Sequence, residues 1–277
     1  MRAVILAAGV GKRLGKKGSL PKCLLKFGKK TLLQRHLEFL NICGIEKTTI
    51  AVGYQKESIQ SEIEKLGMNN FTNTIFNPNY EKGSILSLWA TRDQITYGGD
   101  ILLMDADVLY GQALLSKLVE TNHANSFLMD KNFELGEEPV KICIRNGKIV
   151  EFSKKVEVEF DICGESVGFF KFSFETAKKL IKNTERFKIN PEECYEEPLR
   201  DLVLNSSSNT FSVEDITGMP WMEIDFPGAF VGTANKSIPL ESPIISKVFA
   251  SQSDGETLRV SFQIKPDFKN IKERVKL

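Results

Sequence analysis

Met1-Arg2-Ala3-Val4-Ile5-Leu6-Ala7-Ala8-Gly9-Val10-Gly11-Lys12-Arg13-Leu14 decides how this chain is read. Val4, Ile5 and Leu6 form an apolar run of the kind a parallel sheet buries on both faces. Ala7 and Ala8 then shrink the side chains, and Gly9 and Gly11 remove them as the chain turns. A buried strand ending in so small a loop brings bare backbone amides against whatever lies beyond it. Lys12 and Arg13 add positive charge there, which suits a polyphosphate. Pro21-Lys22 supplies a further cation shortly afterwards. Together these residues point to a nucleoside triphosphate site.

Two related loops are excluded by spacing. A Walker loop needs Gly, four residues, then Gly-Lys-Ser/Thr. Here five residues separate Gly9 from Gly15, and Lys17 stands where the magnesium-binding hydroxyl would be. A dinucleotide fingerprint needs a third glycine, where this chain has Leu14, and an acid at the end of the next strand. The next predicted strand, Thr48 to Val52, ends in Gly53-Tyr54. A plain strand-to-helix turn would explain the glycines; the two cations inside the loop favour the phosphate reading.

The 277 residues carry 42% hydrophobic and 26% charged side chains and a net charge of +1. That balance suits a globular enzyme and gives no broad field for nucleic acid or an anionic membrane. No apolar run reaches the eighteen or so residues of a membrane span. The first apolar stretch is too short for a secretory leader. Five scattered cysteines without a C-x-x-C pair read as reduced thiols, so a cytoplasmic location is expected. His36 and His123 are the only histidines, too few for histidine-based metal or acid–base chemistry.

Strand and helix patterns alternate through the first 130 residues. Helices are predicted over Thr31 to Cys43, Lys56 to Leu66, Ser84 to Asp93 and Gln112 to Glu120, each with an apolar stripe. Strands are predicted at 2–6, 48–52, 73–76, 101–104 and 126–129. The expected fold is α/β, with a mostly parallel central sheet and helices on both faces. Asn146-Gly147 between two apolar runs predicts a small antiparallel hairpin insert. A strand at Val167 to Phe172, helices at Phe174 to Asn183 and Glu192 to Leu204, and short strands at 211–213 and 221–225 complete the reading. Residues 1–227 are taken as one domain and 228–277 as an extension. That extension serves dimerisation, packs on the domain, or is a remnant.

The strand Ile101 to Met104 delivers Asp105-Ala106-Asp107 to the edge where the glycine loop lies. Two carboxylates beside a triphosphate call for a cation, and Mg2+ prefers oxygen ligands and phosphate. Asp107 is the better ligand candidate. Gly164-Glu165-Ser166-Val167-Gly168 matches the G-x-S-x-G nucleophile elbow, but strand residues follow it and both histidines precede it, so a serine hydrolase is rejected.

Leu6 to Leu14, Pro21-Lys22-Cys23-Leu24-Leu25 and Gly28-Lys29 to Leu33 resemble the signatures of nucleoside-triphosphate nucleotidyltransferases, the sugar-nucleotide pyrophosphorylases and cytidylyltransferases. Asn79-Tyr80 to Trp89, the segment around Asp105-Ala106-Asp107 and Pro220 to Asp225 are most similar to bacterial phosphocholine and 2-aminoethylphosphonate cytidylyltransferases. The resemblance implies that Leu6, Ala7 and Ala8 line the base, and that Gly9, Gly11 and Lys12 wrap the triphosphate. It implies catalytic roles for Arg13 and Lys22, which would neutralise the α-phosphate and the leaving pyrophosphate. Asp107 and Asp225 would hold Mg2+. Ser84 is assigned to the nucleotide or phosphoryl group, and Lys141, Glu165, Tyr195 and Trp221 to the acceptor. The implied reaction moves CMP from CTP to a small phosphorylated or phosphonylated amine or alcohol. A sugar-1-phosphate transferase using UTP or dTTP, and a nucleotide-binding regulator without turnover, are the alternatives.

Overall fold

The computed structural model describes residues 1–11, 20–133 and 139–224, and the backbone alone of 245–253 and 257–264. Its first strand, β1 (Arg2–Ala7), fulfils the reading of the opening run. Alternate residues face opposite sides. Ala3, Ile5 and Ala7 enter one buried cluster, and Val4 enters another. A 3₁₀ turn at Lys22–Leu24 and a small ribbon of β2 (Lys26–Phe27) and β3 (Lys30–Thr31) follow. Thr31 caps α1 (Leu32–Ile42) by accepting the Gln34 N–H at 3.0 Å.

β4 (Thr48–Val52), α2 (Lys56–Lys65) and β5 (Thr72–Phe76) complete the first crossovers. The predicted helix from Ser84 breaks into α3 (Ser84–Ala90) and α4 (Arg92–Ile95). At the break, the Thr91 hydroxyl donates to the Leu88 carbonyl at 2.9 Å and competes with the helical ladder. β6 (Ile101–Asp105), β7 (Val108–Tyr110), α5 (Gln112–Glu120) and β8 (Ser126–Asp130) follow.

The second half holds β9 (Lys141–Arg145), β10 (Lys148–Ser153), β11 (Ile162–Phe172), α6 (Phe174–Phe187), α7 (Glu196–Leu204), β12 (Ser212–Asp215) and β13 (Trp221–Glu223). The backbones of β14 (Ile245–Ser253) and β15 (Thr257–Ile264) form an antiparallel pair within the stretch read as an extension.

The central sheet runs β10-β9-β11-β6-β1-β4-β5, with β8 and β12 joined through β11. β6, β1, β4 and β5 are mutually parallel. α1, α2 and α5 cover one face with Leu37, Ile59 and Leu118, while α3, α6 and α7 cover the other with Leu88, Leu180 and Leu199. The hairpin forms as expected, with positive φ at Asn146 and Gly147, but it is no separate insert. β9 pairs with β11 and so continues the main sheet. β11 begins five residues before the predicted start because it serves two partners. Ile162–Glu165 pair with β9 and Phe169–Phe172 with β6, and Gly168, at φ +78°, sits between the two pairings. Among the described residues no helix is long and apolar enough to cross a membrane.

α7 starts at Glu196 rather than Glu192. The preceding loop instead lies on Gly83, where a β-carbon would stand 2.3 Å from the Pro191 carbonyl oxygen. The helix is tied to β10 by a two-pronged ion pair: Arg200 Nε and Nη2 donate to Glu151 Oε1 and Oε2 at 2.6 and 2.8 Å. The Glu151 side chain is only 6% exposed, against 37% for Arg200. Removing the arginine strands a buried carboxylate. Arg200→Ala should lower the unfolding free energy by about 2 kcal/mol, discounted for the exposed arginine. Urea denaturation measures this, and an unchanged midpoint would show that the pair does not anchor α7.

Candidate active site

β6 and β1 end side by side, with Leu6 opposite Asp105 in register. The chain leaving β1 and the turn leaving β6 therefore share one edge of the sheet, where they line a cleft of about 320 Å3. Leu6, Ala7, Ala8, Gly9 and Gly11 form one wall. The Tyr54 N–H donates to the Ala8 carbonyl at 3.1 Å and fixes the chain as it leaves the strand. Gly11 takes a left-handed φ of +61°. Lys12 and Arg13 lie outside the described residues.

Lys22 enters from the 3₁₀ turn, which is held by buried Cys23 and Leu24. Its Nζ donates to Asp107 Oδ2 at 2.9 Å, with both side chains partly exposed at 17% and 23%. The neighbouring Cys23 thiol is pushed up to about 12 by burial, with the Asp107 charge adding to it, so it stays protonated and inert.

The turn at residues 105–107 is held one residue at a time. Tyr195 donates its hydroxyl to Asp105 Oδ2 at 2.7 Å. The Ala106 carbonyl lies 3.2 Å from His36 Nε2, and a carbonyl can only accept, so Nε2 carries the proton. His36 Nδ1 then accepts from the Tyr110 hydroxyl at 3.1 Å. The Asp107 carbonyl accepts the Ile224 N–H at 2.8 Å, which joins β13 to the turn. The G-x-S-x-G stretch acquires a different meaning here. A β-carbon on Gly168 would stand 2.1 Å from Asp105 Oδ2, so the glycine makes room for the carboxylate.

Environment separates the two aspartates. Burial pushes Asp105 well above the ordinary carboxylate range, and the charges of Asp107 and Glu196 push it further. Asp105 is thus a structural acid gripped by Tyr195. Asp107 faces the cleft beside Lys22, and Glu223 on β13 lines the same space. These carboxylates bring only hard oxygen donors, the set that suits magnesium when phosphate oxygens and water complete it. Asp225 lies outside the described residues, next to the Ile224 that bonds to Asp107.

The acceptor assignments divide. Tyr195 lines the cleft, as does Ser84, whose Oγ accepts the Tyr195 N–H at 2.9 Å. Lys141, Glu165 and Trp221 do not line it. Lys141 is buried, and its ammonium donates to the Lys154 and Pro139 carbonyls at 2.7 and 3.3 Å. Trp221 is buried and donates Nε1–H to Asp130 Oδ2 at 2.9 Å. Glu165 stands opposite both Lys141 and Asp130 in the sheet register. In the fold these three sit in the sheet and its connections, off the lining of the cleft. Glu196, which the sequence offers with Glu165 as a charge partner for a cationic acceptor, lines the cleft, and so does Glu223.

Residues 3–146 match the MobA-like NTP transferase domain family. The chain is 26% identical over 248 residues to the CTP:phosphoglutamine cytidylyltransferase of Campylobacter jejuni, covering 82% of this chain and 96% of that protein. It is 34% identical over 109 residues to the choline-phosphate cytidylyltransferase of Streptococcus pneumoniae, covering 39% and 44%. Its fold is similar to the inositol-1-phosphate CTP transferase of T. maritima, at TM-score 0.67 and 22% identity, covering 82% and 89%.

Burial lowers the His36 pKa to about 4, partly opposed by the bond to Ala106. The imidazole is neutral in the fold and titrates at an ordinary 6.5 when unfolded, so its contribution is intact above pH 6.5. It is lost as pH falls towards 4, by about 3 kcal/mol in all. An NMR titration should find His36 titrating near 4; an ordinary value for it would contradict its burial.

Proposed function

We propose, from the premise that the chain belongs to the MobA-like NTP transferase domain family, that it is a magnesium-dependent cytidylyltransferase. It would move CMP from CTP to a small phosphorylated or phosphonylated amine or alcohol, such as phosphocholine or 2-aminoethylphosphonate, and release pyrophosphate. The carrying observation is the convergence of the β1 exit, Lys22 and Asp107 on one cleft, with the backbone before Asp225 bonded to Asp107. The choice of CTP is supported by the relatives, two of which carry it or choline-phosphate cytidyl transfer in their names.

In this reading the backbone of Gly9 to Gly11 holds the triphosphate, with Leu6, Ala7 and Ala8 beneath the base and Lys12 and Ser84 contributing polar contacts. An acceptor oxygen attacks the α-phosphorus in line. The P–O bond to the β-phosphate breaks, and pyrophosphate leaves. Phosphate and phosphonate oxygens are already anionic near neutrality, so no general base is required. That agrees with His36, whose ring is buried and committed to Ala106 and Tyr110. Lys22 and Arg13 neutralise charge that grows on the α-phosphate and the leaving group. Magnesium, held by Asp107 and Asp225, supplies electrostatic stabilisation of the phosphate oxygens when bound.

Pyrophosphate release should be measured with each of the four nucleotides against phosphocholine, 2-aminoethylphosphonate and hexose phosphates. CTP with a small phospho- or phosphono-acceptor should be the productive pair; turnover confined to UTP or dTTP with a hexose phosphate would overturn the proposal. Lys22→Ala should lower kcat about 10²- to 10³-fold, since it removes a charge from a developing anion. An effect confined to acceptor KM would contradict its role. Asp107→Ala should abolish turnover while its circular dichroism spectrum stays that of the wild type, and near-wild-type turnover would remove the metal assignment.

A further inference from the structure

Cys143 and Cys163 stand 20 residues apart in the chain, yet the fold sets their sulfurs side by side. β9 and β11 run antiparallel and place the two residues directly opposite each other in register. Their Sγ atoms are 3.0 Å apart, close enough for one thiol to hydrogen-bond the other.

The ladder shows that the two can be joined. The Ser166 N–H donates to the Val140 carbonyl at 2.8 Å. Hydrogen-bonded and non-hydrogen-bonded pairs alternate along an antiparallel ladder. Three steps on from Ser166 and Val140, past Glu165 with Lys141 and Gly164 with Ile142, Cys163 and Cys143 form a non-hydrogen-bonded pair. Such pairs bring their α-carbons to about 4.5 Å, with the side chains closer than in the bonded pairs. A disulfide spans α-carbons about 4.4–6.8 Å apart, so this pairing falls within its range. One pair away along the same ladder face, Lys141 holds the Lys154 carbonyl, and Lys154 lines a chamber of about 70 Å3 beside the main cleft. A crosslink here would tie β9 to β11 next to that wall.

The two thiols differ in reach. Cys143 is buried, and Cys163 is partly exposed. Burial and the bond to Cys163 push the Cys143 thiol well above its ordinary range, so it is a poor first attacker. We propose that Cys143 and Cys163 form a reversible dithiol–disulfide site whose oxidant is a low-molecular-weight disulfide. The Cys163 thiolate attacks one sulfur of that disulfide. A mixed S–S bond forms, the original S–S bond breaks, and one small thiol leaves with the proton that Cys163 gave up. Cys143 then loses its proton to water and attacks the Cys163 sulfur. The cross-strand S–S bond forms, and the second small thiol leaves with that proton. Two protein thiols are oxidised, and one small disulfide is reduced to two thiols. The site does not depend on the proposed transfer reaction.

The test treats the full chain with oxidised glutathione, blocks the remaining thiols by alkylation and maps tryptic peptides by mass spectrometry. In the wild type, most of Cys163 should appear in a peptide pair that joins Ile142–Arg145 to Val156–Lys171 and separates on reduction with dithiothreitol. Cys143→Ser should stop at a glutathione adduct on Cys163, and Cys163→Ser should leave Cys143 unmodified. The wild-type map decides the matter even if a variant does not fold. A lasting glutathione adduct on Cys163 beside alkylated Cys143 would overturn the proposal. So would an unreacted Cys163, its linkage to another cysteine, or a crosslink between two copies of the chain on a non-reducing gel.

Discussion

Asp105-Ala106-Asp107 is a turn held from four directions, and the site is organised around it. Tyr195 grips the side chain of Asp105, His36 the carbonyl of Ala106, and Ile224 the carbonyl of Asp107. Lys22 meets the Asp107 carboxylate. These contacts come from the segment before α7, from α1, from the end of β13 and from the turn after the β1 exit. Residues nearly the whole length of the domain apart thus agree on the position of one carboxylate. Charge stabilisation of a phosphoryl group depends on placement set before the substrate arrives, and this turn has few ways to move.

The sheet explains why the contacts can converge. Its parallel half sets the β1 exit beside the β6 exit and forms one side of the cleft. Its antiparallel half begins at β11, which lies on the other side of β6 and carries Gly168 under Asp105. The cleft lies between a generic half and a half with its own hairpin, helices and aromatic lining. A smaller chamber is on the second side, bounded by β10, β11 and the start of α7.

Features written in local pattern were legible in the sequence. The apolar run of β1, the glycines after it, the Asn146-Gly147 hairpin and the acids at the end of β6 each depend on neighbours in the chain. Features that depend on distant partners were not. Lys141 looks like a free cation at a strand start, but the loop carbonyl of Lys154 comes back to take its ammonium. Trp221 reads as an aromatic acceptor contact, and only the fold shows that its indole donates to Asp130 at the end of β8. Gly168 resembled part of a hydrolase motif, and its close approach to Asp105 exists only in the fold.

The central claim is that a triphosphate lies along the β1 exit with its metal on Asp107. A crystal structure with magnesium and a CTP analogue bearing a methylene bridge between the α- and β-phosphates tests this most directly. The account predicts phosphate density against the backbone of Gly9 to Gly11, Lys22 within hydrogen-bond reach of it, and the cation coordinated by Asp107. Analogue bound in another cavity, or in this cleft with Asp107 still paired only to Lys22 and no cation beside it, would contradict it.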